Sequence, residues 1–454
     1  MVGGAGGMSS RSRSRLSAAA GSAPAWKGIV VRILCSIALS PSNARALLPL
    51  ARAAAEAGHE VLVVAPPEMA GVFDGEPVRV KPLFSDMGDI VLSLLQEKRI
   101  EAMPSDPFSP DTLVATSCGP HVTEAYRRLI EVAEEFRPDI VLRSGVEFAG
   151  YLVAEKLGIP HVTAPSGGGQ YLDPKQVLAE LNERRAELDL PAGDDPDAIF
   201  ANGRFDCMPS DYSFTTHDIA NTFAYQQPSS IVRDETGPEW LRDIPTDRPL
   251  VVVSSTNVFA SVMSSSVFPR ILGLFFDGLV AGHMFEGMGD VQMDPAVMVN
   301  ALMQGDANPL NAVVKGLSEV DCTAVVATRG MPLNQDLVGD NVHVFERIPQ
   351  PLLLESTQLL FTHGGYNSVR EAVRAGVPMA VLPEVSDQLH NANRVEELGL
   401  GLRVPAANAE TVAETCTRLL EDPRFAQQAR KAQRHMLSLP PVDAAVDHLV
   451  RLVG

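Results

Sequence analysis

Cysteine is scarce and scattered: the 454 residues hold five, Cys35, Cys118, Cys207, Cys322 and Cys416, with no short CxxC spacing. That excludes a thiolate zinc site and a disulfide framework, and fits a reducing, cytoplasmic compartment. Long hydrophobic runs are missing too. None reaches the ~18 residues that span a bilayer, so no membrane span is expected. Basic residues are in deficit, 37 Lys and Arg against 56 Asp and Glu for a net charge of −19, which argues against nucleic acid or an anionic membrane as a partner. The balance, 45% hydrophobic and 20% charged, is ordinary globular composition, at a length that allows roughly two or three domains, each with its own core.

Acidic residues are also absent before Glu56. Residues 1–28 are rich in Gly, Ser and Ala, with Arg11, Arg13 and Arg15, and have too little apolar surface to offset the entropy of ordering. They read as a disordered extension, with Met8 as an alternative start; the composition also suits a transit peptide, whereas a secretory signal would need an apolar core.

From Ile29 the pattern becomes strand, loop, helix, Gly stop, strand: the apolar run Ile29–Ile37, the helix Ala44–Ala57, then Val61–Val64. The unit recurs through Thr123–Phe136, Ile140–Leu142, Ala149–Leu157 and His161–Ala164, which predicts an α/β domain with a parallel sheet over residues 29–223. Residues 224–248 lack periodicity and read as an interdomain linker. A second doubly wound domain, 249–430, opens at Pro249–Ser254 and continues through Thr323–Ala327, Val342–Phe345, Leu359–Thr362, the helix Ser368–Ala375, Met379–Leu382, the helix Asn391–Leu398 and Gly401–Val404. Residues 431–454 follow as a helical segment expected to pack back on the first domain. A ligand cleft between two such domains is the default site, because ligands of open α/β sheets sit beyond the carboxyl ends of the strands.

The stretch that carries chemistry is Phe361-Thr362-His363-Gly364-Gly365-Tyr366-Asn367-Ser368-Val369-Arg370-Glu371. A buried strand, a Gly-Gly turn and a helix start put backbone N–H groups and a positive dipole end where a phosphate can approach. His363 can add a hydrogen bond to a phosphate oxygen, and Glu371, one turn into the helix, can accept both hydroxyls of a ribose. Alone, such a turn is equally a capped helix start.

The full string is more specific. Ile348-Pro349-Gln350 precedes it; Gly376-Val377-Pro378, Asp387-Gln388, Asn391-Ala392 and Arg394-Val395 follow. Together these resemble the donor-site signature of the family 1 nucleotide-sugar-dependent glycosyltransferases, the UGT-like group of GT-B fold that includes plant UDP-glycosyltransferases and bacterial antibiotic glycosyltransferases. Weaker similarity runs through Leu47–Pro66 and Val146–Ala164. The resemblance implies two Rossmann-like domains facing across a cleft and inverting transfer of a sugar from a UDP- or dTDP-sugar to a small natural-product-like acceptor. It implies that His363, Gly365, Tyr366, Asn367 and Ser368 form the diphosphate turn, that Glu371 holds the ribose, and that Asp387 and Gln388 bind sugar hydroxyls. Arg347, Ile348, Pro349 and Gln350 would line the base pocket, with Arg347 where plant members stack a Trp. Thr256 and Asn257 would replace a Gly-Ser or Gly-Thr near the phosphate. No metal and no further cofactor is implied, since the helix dipole and His363 would neutralise leaving-group charge.

The pattern breaks at the acceptor base. Members usually carry a His in the loop after the first strand; counting back from Leu48-Pro49-Leu50-Ala51, that position is Asn43, which cannot remove a proton. Losing such a base costs about 10²–10⁴ in rate. Three outcomes are open: an acceptor acidic enough to need little deprotonation, another base with His121, Asp106, Asp111 and Glu124 as candidates, or a catalytically impaired relative that binds nucleotide or nucleotide sugar as an auxiliary protein. Residues 260–308 form an insertion in which Phe268, Leu272, Phe275, Phe276 and Leu279 recur at helical spacing, expected to pack on their own domain or to make a homodimer or partner contact. Ser166-Gly167-Gly168-Gly169 reads either as acceptor-cleft lining or as a contact-free loop.

Overall fold

The structure, a computed structural model, describes residues 28–101, 106, 108–229, 231, 236–254 and 308–454. Residues 28–30 are the described end of an amino-terminal unit and carry no helix or strand; Val31–Gly454 forms the second unit, which holds every element below.

The apolar runs after residue 30 are buried on both faces, as parallel strands covered by helices must be. They form β1 (Arg32–Ser36), α1 (Pro41–Glu56), β2 (Glu60–Ala65), β3 (Arg79–Pro82), α2 (Met87–Gln96), α3 (Pro110–Cys118), α4 (His121–Phe136), β4 (Ile140–Arg143), α5 (Ala149–Leu157), β5 (His161–Thr163), α6 (Gly167–Tyr171), α7 (Pro174–Glu187), β6 (Arg204–Asp206) and β7 (Thr222–Ala224). Among the described residues these strands make a parallel sheet in the order β3-β2-β1-β4-β5-β6-β7. The second series is β8 (Leu250–Ser254), α8 (Pro309–Ser318), β9 (Thr323–Ala327), β10 (Val342–Phe345), α9 (Gln350–Leu354), β11 (Leu359–Thr362), α10 (Tyr366–Ala375), β12 (Met379–Val381), α11 (Gln388–Glu397) and β13 (Gly401–Arg403), with α12 (Ala409–Glu421), α13 (Pro423–Leu437) and α14 (Val442–Arg451) after it. Its sheet order is β10-β9-β8-β11-β12-β13, again parallel.

Both sheets reverse direction beside their first strand, at β1/β4 and β8/β11. These are the switch points at which doubly wound sheets bind ligands. This is the GT-B arrangement of two Rossmann-like domains.

The sequence reading started α1 too late. Ser40 caps the helix, its Oγ accepting the Ser42 N–H at 3.2 Å, and Pro41 takes the first turn where its missing N–H costs nothing. Asn43 is therefore a first-turn helix residue rather than a loop residue.

Apolar packing joins the domains: Met208, Tyr212 and Phe214, between β6 and β7, share one core with Val369, Val373 and Met379 of the second domain. Polar seams reinforce it. Tyr366 Oη donates to Asp206 Oδ1 at 2.7 Å, and Asp206 is itself paired with Arg204 at 2.9 Å in full burial. On α11, Arg394 Nε and His390 Nε2 donate to the carbonyls of Ser213 (2.9 Å) and Phe214 (2.6 Å). α14 lies on α1, and its His448 stacks on Phe223 at 4.6 Å. In the segment read as a linker, Trp240 stacks on Phe345 at 3.9 Å, at the end of β10 and just before Arg347.

Candidate active site

At the β11–α10 junction Gly364 has φ +86°, and a Cβ there would meet Val381 Cγ1 at 2.7 Å; a Cβ on Gly365 would overlap His363 Nε2. Only glycines fit this turn. α10 begins with no side chain capping its first amides and no acidic residue in its first turn, so its donors are left for an external anion.

His363 Nδ1 lies 3.4 Å from the Ser254 carbonyl, which can only accept, so Nδ1 carries the proton. Burial, with the Arg329 charge adding to it, pushes the imidazole down to about 4. It is neutral at pH 7 with a bare Nε2, which corrects the expectation that it simply donates to a phosphate: Nε2 donates only after taking up a proton.

Glu371 is buried and its carboxyl is raised by that burial, against the pull of Arg45, Arg370 and Arg329. Gln350 Nε2 donates to Glu371 Oε2 at 2.7 Å and to Ser368 Oγ at 3.2 Å. Gln350 thus braces the carboxylate, and the Ser368 hydroxyl keeps its own proton to donate. Asn367 lines the cavity with its amide partly engaged. Its Nδ2 donates to the Ser42 carbonyl at 2.8 Å across the cleft, and its Oδ1 accepts from Arg370.

Asp387 precedes α11, with its carboxyl raised by burial. Asn391 Nδ2 donates both to Asp387 Oδ2 (3.0 Å) and to the Gly364 carbonyl (2.9 Å), locking the acid to the glycine turn. Gln388 Oε1 accepts the N–H groups of Glu384 and Val385 at 2.8 and 3.1 Å, which leaves its NH₂ for a ligand. Ser386 between them has φ +59°, a strained conformation of the kind that clusters at binding sites.

His363, Gly365, Tyr366, Ser368, Glu371, Gln350, Asp387 and Gln388 line one cavity of about 260 Å³ at the domain interface, together with Arg347, Ile348, Pro349 and Asn43. The Arg347 side chain is 87% exposed at its rim. A second cavity, of about 340 Å³, is walled mainly by Leu39, Met87, Val91, Ile100, Leu113 and Val146 of the first domain. Ser40, Ser42, Asn43, Gly168, Asp387 and Gln388 face both. Asn43 Nδ2 donates to the Ala38 carbonyl at 3.0 Å, so its Oδ1 is the end left to a ligand.

The alternative bases are not brought there. His121 lines neither cavity; burial, with Arg184 adding, pushes it down to about 4, and its Nδ1 is buried without a partner. Asp111 accepts from Gln176, Asp106 from the Phe108 N–H, and Glu124 sits 4.0 Å from Arg128, all facing solvent and none lining either cavity. Thr256, Asn257 and all of the insertion 260–308 except Asn308, which caps α8, lie outside the described residues. No group of His, Cys, Asp and Glu among the described residues is arranged to hold a metal, and no described helix is long and apolar enough to cross a membrane.

Of the two readings left open for Ser166–Gly169, the structure favours cleft lining over a contact-free loop: Gly167 and Gly168 line the first cavity and Gly168 the second as well. A Cβ on Gly167 would overlap Asp387 Oδ2, and one on Gly169 would meet the Gly145 carbonyl carbon at 2.9 Å. Sequence reasoning did miss two participants. Arg45 and Arg329 also line the donor cavity, and no motif marked them.

Comparison with known proteins relates the chain to glycosyltransferases. Residues 311–452 match the family described as erythromycin biosynthesis protein CIII-like, C-terminal domain. The chain is 24% identical to the aclacinomycin-T 2-deoxy-L-fucose transferase of Streptomyces galilaeus, over 93% of this chain and 96% of that one. It is 23% identical to the erythronolide mycarosyltransferase of Saccharopolyspora erythraea, over 93% and 99%. The glycosyltransferase VinC, solved in complex with dTDP, superposes with a TM-score of 0.64 at 18% identity, over 93% of this chain and 99% of that one. The chain has the GT-B fold, carries the CIII-like C-terminal domain over residues 311–452, and is similar throughout its two domains to bacterial antibiotic glycosyltransferases.

Proposed function

We propose that the protein transfers a hexose-type sugar, with inversion, from a UDP- or dTDP-sugar in the polar cavity to a small, largely apolar acceptor in the adjoining one. The observation that carries this is the shared wall of the two cavities. Asn43, Asp387 and Gln388 face both, so a sugar held by Asp387 and Gln388 presents its anomeric carbon toward an acceptor lying on Met87, Val91 and Leu113. The α10 amides and Ser368 receive the diphosphate, Glu371 the ribose, and the segment 347–350 the base. Asn43 Oδ1 accepts a hydrogen bond from the acceptor's O–H and orients it, but does not remove the proton. The acceptor is accordingly an acidic hydroxyl or a carboxylate, and transfer to a simple alcohol as good as to such an acceptor overturns this assignment.

The test is thermal unfolding of wild type and His363→Ala with UDP, dTDP and GDP. Ligand at ~100 times its dissociation constant adds about 2.7 kcal/mol, a shift of a few degrees for a chain this long. Stabilisation by one nucleotide, reduced in the variant, supports the donor site and names its base. No shift with any nucleotide overturns it. Asn43 favours a second reading, an auxiliary protein that binds nucleotide sugar without transferring it. That reading requires donor binding with no transfer to any acidic acceptor.

A further inference from the structure

Two side chains in the donor cavity are unexplained by the roles above. Arg45 lies on α1, one half-turn beyond Asn43, and belongs to the first domain; Arg329 lies just past β9 and belongs to the second. They line the same cavity as His363, Ser368 and Glu371, approaching it from opposite sides of the cleft. Among the described residues neither has a carboxylate within ion-pair distance. The Nε of Arg329 is buried with no hydrogen-bond partner at all. The Arg329 backbone is held at φ +51° by its N–H bond to the Glu346 carbonyl (2.8 Å), so the side chain is aimed by a fixed turn.

Electrostatics make this arrangement costly when empty. Burial, and then the charge of Arg45, work against the Arg329 cation, so the two guanidiniums repel each other in a partly dry cavity. The Glu371 carboxylate feels both charges, but it is already braced by Gln350 and held back by its own burial. His363 is neutral and contributes no charge until it takes up a proton. Two unpaired guanidiniums around a helix N-terminus suit a multiply charged anion that each planar fork can grip by two N–H···O bonds.

We propose that Arg45 and Arg329 form a cross-domain clamp on the diphosphate of the donor, one arginine from each domain, so that the leaving group itself holds the cleft closed. This rests on the donor-cavity assignment of the proposed function. The clamp places positive charge beside the phosphate oxygen that takes the electron pair when the bond to the anomeric carbon breaks. It also makes diphosphate binding depend on a residue of the acceptor domain.

The test is equilibrium binding of the nucleoside diphosphate found above, and of its nucleoside by competition, to full-length wild type, Arg45→Gln, Arg329→Gln and the double variant. Each single variant is expected to weaken the diphosphate about tenfold or more while leaving the nucleoside unchanged. The double variant should lose less than the product of the singles, because both arginines grip one ligand. Arg→Lys at either position, which keeps the charge without the fork and the fold without a hole, should recover part of the affinity. Undiminished diphosphate binding in both Gln variants overturns the clamp while leaving the donor site standing. Equal loss for nucleoside and diphosphate overturns it in favour of a role in shaping the nucleoside pocket. If wild type binds no nucleoside diphosphate, the clamp and the proposed function fall together.

Discussion

At the scale of single residues, the proposed function turns on Asn43 and His363. Asn43 is held by the Ala38 carbonyl with its Oδ1 turned to the cavities, a geometry that orients an acceptor without ionising it. Asn43→His should therefore raise turnover on a simple alcohol acceptor, toward the ~10²–10⁴-fold that a general base supplies, and change little for a carboxylate; parallel rates with the two acceptors check both halves. The His363 tautomer gives a pH prediction. The free imidazole, at about 4, is neutral at pH 7, and an anion placed against Nε2 favours the protonated ring, so binding takes up a proton. Nucleoside diphosphate affinity should then rise as pH falls from about 7 toward 5, and His363→Asn should flatten that dependence. A wild-type affinity that is constant or falls over this range would show that His363 stays neutral in the complex.

At the scale of elements, the site is a set of close approaches that tolerate no extra atom. Gly365→Ala drives a Cβ into His363 Nε2, and Gly167→Ala drives one into Asp387 Oδ2 and to 2.6 Å from Tyr366 Cβ. The first should abolish most nucleotide binding with the fold retained. The second should spare the nucleotide and raise KM for the nucleotide sugar, because it displaces Asp387 at the sugar end; calorimetry with nucleotide alone and kinetics with donor separate the two. The β11–α10 turn was legible in sequence because its function demands glycine, a helix start and particular polar residues in consecutive positions. The Gly167–Gly169 run left cleft lining and a contact-free loop equally open, because the partners of Gly167, Tyr366 and Asp387, lie some two hundred positions away, and only the folded chain says what a glycine must avoid.

At the scale of the molecule, the domains are fastened by shared apolar packing and by Tyr366–Asp206, at the start of the helix that opens on the first cavity. Tyr366→Phe leaves Asp206 short of one donor in full burial, and should cost about 1–3 kcal/mol of stability, read from denaturant unfolding. Acid sensitivity belongs to this scale as well. Burial pushes His161 down to about 3, and His121, like His363, to about 4, all below the ordinary 6.5. The unfolded chain binds protons at these residues first, so stability is fully present above about pH 6.5 and is lost as pH falls from there toward 4. The melting temperature should drop across that window, and His161→Gln, which takes no proton, should lessen the drop.

Apolar periodicity and the Gly stops were enough to read two parallel α/β domains, and the resemblance carried by the string from Ile348 to Gln388 was enough to expect the GT-B class, because those features depend on neighbours close along the chain. Four further features needed the tertiary structure: that Asn43 opens a helix instead of lying in a loop, that Asn367 donates to the Ser42 carbonyl, that His121 lines neither cavity, and that Arg45 and Arg329 line the same one. Each is a relation between segments brought together by packing, and a side chain's burial, tautomer and available hydrogen bonds follow from what arrives beside it, which composition and spacing do not encode.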